Sequence, residues 1–256
     1  MKTMLIALAL VGSIAQAKVK TETINYKEGS TTLKGYLAYD DSHKEPRPGL
    51  VLVHEWMGLN DYAKRRAREM AEKGYIVLAA DIYGNGMTTK SPKEAGQLAG
   101  KYKGDRALFR KRMQAALDTL KAQKGVETSK IAAMGYCFGG TGVLELARSG
   151  ADIKGVISFH GGLGSPTPAD AKNIKAKVLV LHGAVDPNVP PEEVAAFQKE
   201  MNDAHVDYQL IAYSDTVHAF TNPDSGNDPS KGAAYNAVSE RRSIVALHDF
   251  LDEVLK

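Results

Sequence analysis

A single cysteine, Cys137, and a single tryptophan, Trp56, occur in 256 residues. A lone thiol has no intrachain partner, so a disulfide framework is excluded, and without a C-x-x-C pair so is a dithiol redox site. The seven histidines form neither an H-x-x-x-H nor an H-E-x-x-H cluster, so no motif calls for a metal, and no cofactor is expected. An excess of one charge is also lacking, with 33 Lys and Arg against 30 Asp and Glu. The densest basic run, "KRRAR" at 64–68, lies in "NDYAKRRAREMAEKG", where Ala67, Met70 and Ala71 form an inner stripe at helical spacing. Its charges then face water, and no nucleic-acid partner is expected. Internal repeats and low-complexity segments are absent, and no run after residue 17 is long enough to span a membrane.

The first twenty residues, "MKTMLIALALVGSIAQAKVK", carry one early lysine, an apolar stretch from Met4 to Ile14, and the small-x-small triplet Ala15-Gln16-Ala17. That order of charge, apolar core and cleavage site predicts a signal peptide over residues 1–17, cut after Ala17. The remaining chain, 18–256, is then one exported domain, periplasmic or secreted and free of the membrane, as a monomer or a small homo-oligomer.

From residue 18 the chain opens with two strand-like runs, "VKTETINY" and "TTLKGYLAY", around the turn "EGS". Short apolar runs then alternate with amphipathic ones: "GLVLVH", "YIVLAAD", "KIAAM", "KGVISFHGG", "AKVLVLHG" and "DYQLIAYS" read as strands, with helical spacing between them. This predicts an α/β fold with a mostly parallel central sheet flanked by helices and an N-terminal β-hairpin. The last helix is expected from about Gly232. The stretch from Gly84 to Asp105 reads as a polar loop able to cover a site at the carboxyl ends of the strands, where such sheets bind ligands.

Cys137 falls at such an end, in "MGYCFGG", directly before a helical run. The frame G-x-nucleophile-x-G has a steric reason: the strand-to-helix turn is too tight for side chains at the flanking positions. It lifts the thiol above the sheet, and the helix N-terminus favours a thiolate. In chain order an acid and then a histidine should follow. Asp186, in "AVDPNVP", and His218, in "DTVHAF", each follow a strand. Asp215 competes as the acid but lies so close to His218 that a turn is the simpler reading. His160 and His182 compete as the base, since both stand at strand ends.

Four segments, "LVLVHEWMGLND", "GYIVLAADIYG", "MGYCFGG" and "LHGAVDPNVP" with "HAF", resemble the dienelactone hydrolase family of α/β-hydrolases, which uses a cysteine nucleophile. The resemblance implies an α/β-hydrolase fold and a triad of Cys137, Asp186 and His218. It also implies that Glu55 contacts the thiol in the resting enzyme, and that the N–H groups of Trp56 and Phe138 form the oxyanion hole. Tyr83, His160 and Phe220 are expected to line the substrate pocket. Family members that bind a substrate carboxylate use arginines after the tyrosine loop and after the histidine. Here "DIYGNG" and "HAFTNP" carry none, which points to small neutral esters or lactones cleaved through a thioester acyl-enzyme. A thioesterase and a non-catalytic small-molecule binder remain as alternatives.

Overall fold

A computed structural model describes residues 19–42 and 44–256; the expected signal segment, 1–17, lies outside the described residues. The hairpin is built from β1 (Val19–Glu28) and β2 (Thr31–Asp40), paired antiparallel, with Gly29 at a left-handed φ of 56° in the turn. Six strands follow: β3 (Arg47–Val53), β4 (Ile76–Ala80), β5 (Val126–Tyr136), β6 (Gly155–Phe159), β7 (Lys177–Gly183) and β8 (Tyr208–Tyr213). All join one eight-stranded sheet in the order β1-β2-β4-β3-β5-β6-β7-β8. β2 pairs antiparallel with β4, and every pairing from β4 to β8 is parallel, so the sheet is the α/β-hydrolase sheet with its N-terminal hairpin.

The apolar strand runs work because consecutive residues feed opposite faces. Leu50 and Leu52 pack with Met70 of α1 (Asp61–Glu72) and Leu247 of α6 (Ala237–Leu255) on one face. Val51 and Val53 pack on the other with Phe109 of α3 (Arg106–Lys121), Val143 of α4 (Phe138–Arg148) and Phe197 of α5 (Pro191–Asp203). β7 repeats the alternation, with Val178 and Val180 on the second face and Leu179 and Leu181 on the first. Each fully buried side chain of this size contributes about 1.5–3 kcal/mol before the entropy of ordering it is subtracted.

Three expectations are corrected. The stretch expected as a loop over 84–105 contains helix α2 (Pro92–Gly104), capped by Ser91, whose Oγ accepts from the Glu94 N–H. Its lysines and glycines weaken the apolar period, whereas the S-P-x-E start is a regular helix-opening signal. The last helix begins at Ala237 and not near Gly232, because Asn236 accepts from the Val238 and Ser239 N–H groups and so caps it there. Within α1, Arg66 does not face water. It is buried, pairs with Glu69 and Glu240, and donates to the Thr221 carbonyl at 2.8 Å, tying α1 to the segment after β8.

Candidate active site

β5 ends at Tyr136 and α4 begins at Phe138, leaving Cys137 alone in the turn at φ 52° and ψ −112°. Such a conformation stores of order 1–3 kcal/mol and persists only where its surroundings enforce it. The enforcement is visible at the flanking glycines. A Cβ on Gly135 would run into the Gly139 backbone, and one on Gly139 into the Val53 and His54 carbonyls. The Cys137 N–H is shared between the Phe159 carbonyl at 2.9 Å and His160 Nδ1 at 3.2 Å, so β6 holds the turn from the side.

Asp186 sits in the loop after β7 and His218 in the loop after β8, the neighbouring strand. His218 Nδ1 meets Asp186 Oδ2 at 2.7 Å, and the other Asp186 oxygen accepts from the Asn188 N–H at 2.8 Å. A carboxylate only accepts, so Nδ1 carries the proton. Cys137 lines the same cleft as His218 and is close enough to act on the imidazole. Burial opposes the imidazolium, but the charge of a Cys137 thiolate and the bond to Asp186 outweigh it and hold His218 up to about 10. Of the competitors, Asp215 is exposed in the turn after β8 with φ 53°. His182 is buried on β7, and its Nδ1 has no hydrogen-bond partner among the described residues. His160 is buried, bonds Thr221 Oγ1 at 2.8 Å, and burial with the nearby His218 holds it well below the usual histidine range.

Cys137 and His218 open into a cleft of about 1160 Å³ that is also lined by Glu55, Trp56 and Phe138. Glu55 shares the cleft with the thiol, and its Oε2 accepts from Asn222 Nδ2 at 2.6 Å. Burial pushes the Glu55 carboxyl up to about 7, and the bonds to Asn222 and the charge of His218 pull the other way. Asn222→Ala is therefore expected to move the Glu55 titration above 7, since a lowering contact is lost. Infrared spectroscopy of the carboxyl band across pH measures it, and an unmoved midpoint would mean that Asn222 does not carry the effect.

Tyr83, His160 and Phe220 are absent from the cleft wall and form its floor instead. Tyr83 packs against His54 and Phe138, and its hydroxyl donates to the Trp56 carbonyl at 2.7 Å. Phe220 packs on His160 and Tyr213. The sequence places all three at strand ends, but their rings are large enough to satisfy themselves against one another beneath the opening. Lys64, Lys90, Lys103 and Lys231 line the outer cleft, all exposed or half-buried. No group of three or more His, Cys, Asp or Glu able to hold a metal ion occurs among the described residues.

Sequence reasoning missed two participants. Asn222 stood out only as a missing arginine, although its place four residues after His218 was a usable signal. His54 precedes Glu55 directly after β3, and nothing in its spacing betrays its bonds.

A sequence model of the dienelactone hydrolase family matches residues 33–255. A solved structure described as a dienelactone hydrolase-like promiscuous phosphotriesterase from metagenomic libraries is 41% identical, covers 93% of this chain and 99% of its own, and superposes with a TM-score of 0.89. An uncharacterized protein of Caenorhabditis elegans is 37% identical over 147 residues, 56% of this chain and 91% of its own. A putative carboxymethylenebutenolidase of Yersinia pestis is 27% identical over 202 residues, 73% of this chain and 74% of its own.

Proposed function

Because the chain belongs to the dienelactone hydrolase family of ester- and lactone-cleaving hydrolases, we propose that it hydrolyses small neutral carboxylic esters or lactones with Cys137 as nucleophile. The observation that carries this reading is the bonded pair Asp186–His218 in one cleft with Cys137, the cysteine standing in a strained turn at the helix start. The thiolate sulfur adds to the carbonyl carbon, and the negative charge on the carbonyl oxygen is met by the Trp56 and Phe138 N–H groups. Neither donor is bonded to a protein acceptor among the described residues. Collapse expels the alkoxide, which takes its proton from the His218 imidazolium and leaves a thioester. His218 then removes a proton from water as the hydroxide oxygen attacks the thioester. The acid departs, and the thiolate–imidazolium pair returns.

Neutral substrates are favoured because the lysines of the cleft wall are solvated ones at its outer part, and where family members that bind a carboxylate carry an arginine after the histidine this chain has the neutral Asn222, bonded to Glu55. A carboxylate next to the thiol would meet Glu55 and the thiolate, and the buried Arg66 is already engaged by Glu69, Glu240 and the Thr221 carbonyl and does not line the cleft. The 41% identical phosphotriesterase favours a second substrate class, a phosphotriester, whose phosphoryl oxygen would use the same two donors. The charge-then-apolar N-terminus with Ala15-Gln16-Ala17 supports export of the chain.

The test is the pre-steady-state hydrolysis of p-nitrophenyl acetate by residues 18–256 under reducing conditions. Wild type is expected to give an acylation burst, and Cys137→Ala to lose both burst and turnover. Losing the thiolate should also bring the His218 titration below about 10, read by imidazole NMR. Equal turnover in the two proteins would remove Cys137 from the chemistry.

A further inference from the structure

His54 is fully buried at the end of β3, beneath the cleft and outside the triad. Its Nδ1 lies 2.6 Å from the Glu55 carbonyl oxygen, and its Nε2 is 3.4 Å from the Ile82 N–H. A carbonyl can only accept and an amide N–H can only donate, so the two partners fix the neutral tautomer with its proton on Nδ1. Burial lowers the pKa of this imidazole, in keeping with a neutral ring. The ring also lies nearly parallel to Phe138, with centroids 5.7 Å apart and planes at 17°, and meets Tyr83 edge-on at 4.8 Å.

The Glu55 carbonyl and the Trp56 N–H belong to the same peptide unit. That unit is planar, and no cis bond occurs among the described residues, so the N–H points opposite to the carbonyl. Whatever holds the Glu55 oxygen therefore aims the Trp56 N–H. The next peptide is held as well, because the Tyr83 hydroxyl donates to the Trp56 carbonyl at 2.7 Å. Further along, the loop is held by the Gly58 N–H, 3.3 Å from the Glu55 oxygen, by the Thr89 N–H, 3.1 Å from the Met57 oxygen, and by an antiparallel bridge of Gly58 to Thr88, while the two side chains act on the peptides on either side of Trp56. His54 thus touches both residues whose backbones face the developing oxyanion: it bonds the peptide that carries one donor and stacks on the side chain of the residue that carries the other.

We propose that His54 is a positioning residue for acyl transfer, its Nδ1–H clamping the Glu55–Trp56 peptide so that the Trp56 N–H is preset as an oxyanion donor. The inference rests on the ester-hydrolase reading above. A donor that must swing into place in the transition state has lost the advantage of being preorganised, and removal of one such donor costs about 10²–10³ in kcat.

Two variants separate this role from a merely structural one. In His54→Asn the amide nitrogen overlays Nδ1 and keeps the bond to the Glu55 oxygen. In His54→Gln the amide reaches the Nε2 position, keeping bulk and the Ile82 side while losing the clamp. Steady-state hydrolysis of p-nitrophenyl acetate is measured beside the rate at which iodoacetamide alkylates Cys137, a displacement at saturated carbon that develops no oxyanion. The expected result for His54→Gln is a fall of kcat by about 10- to 100-fold with little change in KM, and an alkylation rate near wild type. His54→Asn should stay within about fivefold of wild type on the same scale. The inference is overturned if Gln retains more turnover than Asn, if both match wild type, or if alkylation falls in parallel with turnover. A wild-type protein without esterase activity overturns the hydrolase reading together with this one, whereas an active wild type beside an unaffected His54→Gln overturns this one alone.

Discussion

Asp186→Asn lowers kcat for ester cleavage by about 10³–10⁴-fold while leaving the fold intact, the expected size for a triad acid. The asparagine fits the same space, but its amide donates to His218 Nδ1 where the carboxylate accepted at 2.7 Å. The ring must then carry its neutral proton on the other nitrogen, which faces the thiol and can no longer receive a proton from it. The sign of the titration follows from the same contacts. Burial alone would lower the His218 pKa, and Asp186 is one of the two groups that raise it to about 10, so its replacement brings the midpoint down. Rapid-quench acylation rates and imidazole NMR measure both effects. A variant within tenfold of wild type would transfer the orienting role to another acid.

Arg148→Ala is expected to cost about 3–5 kcal/mol of folding stability, the range for stranding a buried charge. Arg148 lies at the last turn of α4, fully buried, with Nε and Nη2 each 2.8 Å from the two Glu200 oxygens. Nη1 reaches Glu145 at 3.1 Å, and Nη2 also donates to the Leu163 carbonyl at 2.9 Å. Removing it leaves Glu200 on α5 buried without its fork, whereas Glu145 keeps Arg110 at 2.8 Å. The pair ties the helix that starts at the elbow to the helix that follows the Asp186 loop. Urea unfolding followed by circular dichroism measures the loss. A change under 1 kcal/mol would mean that water reaches Glu200 as readily as in the unfolded chain. The double variant Arg148→Met with Glu200→Leu should recover most of the loss, because Glu145 keeps Arg110 and no unpaired charge is then left buried.

The sheet and the elbow were legible in the sequence because their signals are local. Doubly buried parallel strands read as apolar runs, and the G-x-C-x-G frame follows from the clash that a Cβ at Gly135 or Gly139 would meet. The order of acid and histidine was legible for a related reason, since each follows its strand at once. Helix α2 was hidden in a polar stretch, although Ser91, Pro92 and Glu94 mark its start. The floor residues were misplaced because strand-end position does not say whether a large ring points into an opening or packs beneath it. Arg66, His54 and the partner of Asn222 were opaque for another reason. Their partners are backbone groups or side chains of other elements and loops, and the Glu55–Asn222 pair is 167 residues apart in sequence. No periodicity records such contacts.

β8 is one of the two outer strands of the sheet, bonded on one side only to β7, and its residues are mostly half-exposed. His218 depends on that edge, while the strained cysteine belongs to β5 near the centre. Strand edges fray at lower free energy than centres open. A molecule whose outer strand has peeled away keeps its elbow, its glycines and most of its core, yet its sulfur has lost the base that ionises it. Loss of reactivity and loss of structure are thus expected to be separate events on warming, the thiol falling silent before the core unfolds.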